Sequence, residues 1–337
     1  MQMTIEELES ACDASLTLDF SRHPIEGPEL SLWGLFYPLG FPTALRTNCP
    51  SILEFFREAW GVFERQFDTP PIRVDVHVVE NASAECPPAP THRLMRPLLV
   101  GVADLDNYSV ADLQRNRTHI TVSRAAVAHE LYLRHFFLEA SPLVHVATRF
   151  TTPIHAGCVS LNGCGVLLCG DSGAGKSTLS YACARAGWTY VTDDSTYLVH
   201  GADPHHVTGN CHLVRLRPPA AELFPELQGK PITPRVEGKP SLEIPTDSLP
   251  LSSRSQTARV NYFVFLNRRA GGTPALVPYS KDVARQYMRQ VPYGSPDTLA
   301  VQYEAIERLL SLDVFELRYT DLDWAVDRLQ QLAEVGW

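Results

Sequence analysis

The sequence predicts an α/β protein in two parts: a P-loop domain over residues 146–337, preceded by a smaller α+β domain over residues 1–145. Three observations predict it. The octapeptide G-D-S-G-A-G-K-S at 170–177 matches G-x-x-x-x-G-K-[ST], and it lies between the apolar run VLLCG and the helical pattern KSTLSYACARAG. Residues 30–120 read mostly as strands, with one helical stretch. A chain of 337 residues also exceeds the commonest single-domain size.

Each element follows from its local pattern. SLWGLFYPLG is strand-like, SILEFFREAWGVFERQF has a helical period, and IRVDVHVVE alternates well. The proline-rich CPPAPTHRLMRP at 86–97 reads as a surface loop, and RPLLVGVA and HITVS as strands. A helix is expected from about Ala126 to Leu138, with Leu131, Leu133, Phe136 and Phe137 as its apolar face, and the domain boundary falls at 140–150. The second part then reads as one strand over about Ile154–Leu161, a turn NGCG, the strand VLLCG, the loop, the helix, and the strand WTYVTDD. Arg215–Leu251 has no clear periodicity. NYFVFLNR is a buried strand, helices follow near Lys281–Gln290 and Leu299–Leu310, and VFELRY leads to a last helix, LDWAVDRLQQLAEV, behind an acidic cap.

Composition narrows the function classes. Hydrophobic residues at 45%, charged residues at 20% and a mean hydropathy of -0.10 describe a soluble globular chain. No apolar run approaches the roughly 18 to 20 residues of a membrane span, and MQMTIEELES is acidic where a secretory signal is basic, so a membrane or export role is not expected and a cytoplasmic one is. The eight cysteines include no C-x-x-C pair, which suits reduced thiols and argues against a zinc site. A net charge of -9 makes nucleic acid an unexpected partner.

The chemistry concentrates in two places. The loop of Gly170, Asp171, Ser172, Gly173, Ala174, Gly175, Lys176, Ser177 and Thr178 is expected to bind ATP with Mg2+. Gly173 and Gly175 let backbone amides converge on phosphate at the positive end of the following helix, Lys176 reaches the β and γ phosphates, and Ser177 ligates magnesium. Asp193 and Asp194 end the next strand, where two carboxylates can hold magnesium and accept a proton from an attacking hydroxyl; an acidic turn is the plainer alternative.

The stretch from His155 to Asp194, HAGCVSLNGCGVLLCGDSGAGKSTLSYACARAGWTYVTDD, closely resembles the core of the HPr kinase/phosphorylase family. The matching features are a histidine ahead of a G-x-G-V-L strand, a G-x-S-G-x-G-K-S loop and a final Asp-Asp, at the family's spacings. The resemblance implies a fold also similar to the catalytic core of phosphoenolpyruvate carboxykinase. It further implies triphosphate and magnesium at Lys176 and Ser177, base and metal duties shared by Asp193 and Asp194, His155 near the transferred phosphate, and a homo-oligomer. The C-terminal FELRYTDLDWAVDRLQQL looks like the tail of the broader group of HPr-kinase-related proteins. Three features depart from the bifunctional enzymes: Thr178 stands where they carry glutamate, no E-x-R-G-x-G segment follows Asp194, and the first 140 residues do not match their N-terminal domain. Neither phosphorolysis nor HPr itself as substrate follows from the resemblance.

Arg215, Arg217, Lys239 and Arg259 are further candidates for phosphate or substrate contact, although exposed arginines are commonly just solvated. The reading is therefore a kinase whose acceptor is a serine of a protein or peptide, or equally by the residues a small-molecule alcohol. A regulatory ATP-binding module uses the same loop, and a carboxykinase would ask for a transition-metal site that the sequence does not show.

Overall fold

The computed structural model describes residues 30–81, 83–233, 240–268 and 272–337. They divide into two units, one ending at His145 and the other beginning at Val146.

In the first unit, strands β1 (Leu32–Phe36), β2 (Thr43–Thr47), β3 (Ile72–Val79), β4 (Thr91–Met95), β5 (Leu98–Val102), β6 (Tyr108–Asp112) and β7 (Arg117–Ser123) form one mixed sheet, ordered β1-β2-β3-β7-β6-β5-β4. Strands β2, β3 and β7 run parallel, and the remaining neighbours pair antiparallel. The two-residue period puts Val74, Val76, Ile120 and Val122 on one fully buried face. Helix α1 (Pro50–Trp60) and the short helices α2 (Arg124–Ala128), α3 (Glu130–Leu133) and α4 (Ala140–His145) complete the unit.

Three expectations for this unit are corrected. The first helix stops at Gly61 because the next segment bonds elsewhere: the amides of Gln66 and Phe67 both donate to the Gly40 carbonyl. The second helix is broken at His129 (φ −103°, ψ 67°) and widened by a π turn at Arg134–Leu138, which rotates its buried face to Tyr132, Leu133, Phe137 and Leu138 and leaves Leu131 exposed. Residues 91–95 form the edge strand β4 instead of a loop; main-chain pairing with β5 holds it, so no burial pattern marks it.

The second unit contains β8 (Thr151–Ile154), β9 (Ala156–Leu161), β10 (Cys164–Cys169), α5 (Lys176–Arg185), β11 (Thr189–Thr192), β12 (Thr196–Val199), β13 (His206–Gly209), β14 (Leu213–Leu216), α6 (Ala220–Leu223), β15 (Leu242–Pro245) and β16 (Ser253–Arg254). The long β17 (Thr257–Arg268), then β18 (Ala275–Pro278), α7 (Lys281–Met288), α8 (Pro296–Leu309), β19 (Asp313–Tyr319) and α9 (Leu322–Val335) follow. Strands run in the order β16-β11-β9-β10-β17-β13-β12-β8. Strand β17 makes this possible by changing partners along its length, from β13 at Thr257–Arg259 to β10 and β19 beyond Val260.

Strand β10 is buried on both faces, which is why it reads as an unbroken apolar run. Val166 and Leu168 pack with Leu179 and Tyr181 of α5 and Leu329 of α9, whereas Leu167 and Cys169 pack with Met288 of α7 and Ile306 of α8. The single strand expected over Ile154–Leu161 is two: β8 pairs with β12 while β9 pairs with β10 and β11, and His155 sits at the break. Helix α9 begins at the expected acidic cap, where Asp321 accepts from the Trp324 amide at 2.7 Å. The described cysteines form no disulfide. Among the described residues, no helix is long and apolar enough to cross a membrane.

Candidate functional site

The site is built on the turn from β10 into α5. Gly170, Gly173 and Gly175 all have positive φ (142°, 91° and 101°), a conformation that other residues adopt only under strain. Gly175 caps α5 in the left-handed region, so the helix starts at Lys176 with its amide-rich end directed into the loop. Gly157 on β9 serves by its small size, since a Cβ there would lie 2.4 Å from Ser180 Oγ of α5 and 3.1 Å from the Asp193 carbonyl. That close approach brings the end of β11 to the loop.

Lys176 is buried, 5% exposed, and its ammonium turns back onto the loop. Nζ donates to the Gly170 carbonyl at 2.7 Å, lies 3.3 Å from the Asp171 carbonyl and meets His155 Nε2 at 2.9 Å. Burial holds the Lys176 pKa below its ordinary value, opposed by the nearby Asp194 carboxylate. Burial also lowers His155, with Asp194 opposing and Lys176 reinforcing the shift. A neutral imidazole that accepts from Lys176 through Nε2 carries its proton on Nδ1, which faces Asp194 Oδ1 at 3.5 Å. His155 thus links the lysine to the carboxylate.

The two aspartates differ in environment. Asp193 is buried; the Tyr190 hydroxyl lies 3.0 Å from its Oδ1, and the Arg215 amide donates to its Oδ2 at 3.3 Å. Burial first and the charge of Asp194 second push its pKa up to about 6, against hydrogen bonds from Ser177 and Tyr190. Asp194 is half-exposed. Tyr190 stands three residues before Asp193, inside the quoted WTYVTDD, and could have been singled out there; Tyr287 of α7 could not. Its hydroxyl lies 2.7 Å from the carbonyls of both His155 and Gly170 and accepts from the Gly170 amide at 3.1 Å, across 117 residues of chain.

A cleft of about 440 Å³ gathers these groups. His155, Ser172, Gly173, Gly175, Lys176, Ser177, Thr178, Asp193 and Asp194 all line it, together with Arg215 and Arg217. Arg215 is also paired with Glu243, Nε to Oε1 at 3.2 Å. Arg268, at the end of β17, lines the cleft too and was not anticipated. Arg259 is corrected: it sits beside Gly165 at the far end of β10 from the loop, where its guanidinium pairs with Asp203 at 3.3 Å. Lys239 lies outside the described residues.

Two hard oxygen donors, the Ser177 hydroxyl and the Asp194 carboxylate, line this cleft beside the lysine. Among the described residues no group of three or more His, Cys, Asp or Glu could hold a metal by itself. That donor set fits Mg2+, which takes one or two carboxylates and fills its octahedron with phosphate and water.

No family model matches the chain, and no curated protein matches it. Among solved structures, the HPr(Ser) kinase/phosphatase from Coxiella burnetii is matched at 14% identity with a TM-score of 0.30, over 54% of this chain and 97% of that one. At that score the likeness supports no further statement about this chain.

Proposed function

We propose that this chain is an ATP- and magnesium-dependent kinase that transfers the γ-phosphate to a hydroxyl, with a serine of a protein or peptide as the acceptor. One observation carries the reading. Lys176, Ser177, Asp193, Asp194 and His155 come from three separate segments and line one cleft at the amide end of α5.

Each group has a part in phosphoryl transfer. The α5 terminus and Lys176 offset charge on the phosphates, and His155 holds Lys176 in place at 2.9 Å. Asp193, with a pKa of about 6, is ionised at neutral pH yet basic enough to take the proton of the attacking hydroxyl. Ser177 and Asp194 would hold Mg2+, which when bound neutralises charge developing between the β and γ phosphates.

The test is transfer of label from γ-labelled ATP with magnesium into the small-molecule, peptide and protein fractions of a host lysate, comparing the natural chain with Asp193→Asn and Asp194→Asn. Label entering the protein or peptide fraction and lost in both variants is the expected result. Label in the small-molecule fraction would move the acceptor to a free alcohol. ATP binding without carboxylate-dependent transfer would replace the kinase with a regulatory module.

A further inference from the structure

A second, larger cleft of about 720 Å³ is lined along α5 and its end by Thr178, Ala182 and Ala186. It shares Gly175, Thr178, Leu223 and Arg268 with the smaller cleft, so the two meet where the loop enters α5. Its volume falls within the range of about 300–1,000 Å³ typical of small-molecule sites. The reacting groups Lys176, Asp193, Asp194 and His155 line the smaller cleft and none lines the larger.

We infer that the larger cleft holds the nucleoside end of the bound triphosphate, a deepening that rests on the kinase reading above. A phosphate chain whose reacting end is fixed beside Lys176 and the aspartates leaves the loop past Gly175 and Thr178, and those residues open into the larger cleft. The lining chemistry agrees. Ala182, Phe224 and Val326 supply apolar wall, suited to the face of a base. Arg185, paired with Glu226 at 2.8 Å, and the shared Arg268 also line this cleft, but Asp321, Asp323 and Asp327 at the α9 end outnumber them, and carboxylates that repel phosphate and accept hydrogen bonds suit an uncharged group bearing hydroxyls and amines. The clefts therefore sort one ligand by charge, with the anionic chain at the lysine side and the neutral nucleoside at the acidic side.

Calorimetric titration of the full chain with magnesium-ATP and with magnesium-tripolyphosphate tests this, on the natural sequence and on Asp323→Trp and Ala186→Trp, which add bulk to the larger cleft from α9 and from the end of α5. Both positions are exposed, and circular dichroism verifies folding of each variant. The natural chain is expected to bind ATP at least about tenfold more tightly than tripolyphosphate, and each tryptophan to remove most of that advantage while leaving tripolyphosphate binding unchanged. Equal binding of the two ligands by the natural chain, or an ATP advantage that survives in both folded variants, would overturn the inference while leaving the triphosphate loop standing. Absence of binding for both ligands would overturn the loop reading itself, and the inference with it.

Discussion

Asp193 and Lys176 are moved toward neutrality by one physical cause, burial of a charge, and both face the same cleft. For Asp193 the consequence is a pH dependence. In the proposed transfer a base with a pKa of about 6 is lost by protonation, so the rate should fall as pH drops through that value and level off above it. Initial rates across the range from about pH 5 to about 8 check this, and an acid limb near 4 would reassign the base. Asp193→Asn should lower turnover by about 10²- to 10⁴-fold while ATP still binds. Lys176→Ala should instead weaken ATP binding itself, because the ammonium holds both the Gly170 carbonyl and His155 before any ligand arrives.

At the scale of elements, the loop depends on backbone geometry and on an outside clamp. An alanine at Gly175 would be forced to φ 101° with its Cβ 3.0 Å from the Tyr319 hydroxyl, a strain of about 1–3 kcal/mol borne by the loop. Gly175→Ala is therefore expected to weaken ATP binding about tenfold or more and to lower the thermal midpoint by a few degrees, measured by titration and melting side by side. Tyr287→Phe removes the hydroxyl that bonds Gly170 and the His155 carbonyl. Amide exchange should then rise over residues 170–175 while α7 stays protected; unchanged exchange in the loop would show that the clamp is dispensable.

For the molecule as a whole, two buried carboxylates act on stability with opposite sign. In the first unit Asp75 is 4% exposed; burial alone would raise its pKa, but hydrogen bonds from Arg46 at 2.6 Å and Arg117 at 2.9 Å hold it below 3.8. It stabilises the fold above 3.8, and that contribution is lost as pH falls through its lowered value. Asp193 is the reverse, since its stabilising protonated form is lost as pH rises from 3.8 through about 6. Asp75→Asn should cost on the order of 1–3 kcal/mol near neutral pH, discounted for the half-exposed arginines, and progressively less in acid. Asp193→Asn should gain stability relative to the natural chain as pH passes from about 4 to above 6, read from thermal midpoints in matched buffers.

Local sequence determined the elements whose signal is local. The G-D-S-G-A-G-K-S loop, the doubly buried β10, the alternating β3 and the Asp321-capped α9 follow from glycine geometry, period and capping, none of which needs a distant partner. Tertiary structure decided the rest. The end of α1 is set by hydrogen bonds to Gly40, the break at His155 by β8 and β9 pairing with different strands, and the removal of Arg259 from the cleft by its register beside Gly165. Arg268 reaches the cleft, and Tyr287 the Gly170 backbone, from a strand and a helix a hundred residues or so from the loop, through pairings that leave no periodic mark on the chain. The glycines that allow the loop its turns are written in the loop itself, whereas the groups that clamp and surround it are fixed by which strands and helices pack together, an outcome summed over the whole unit.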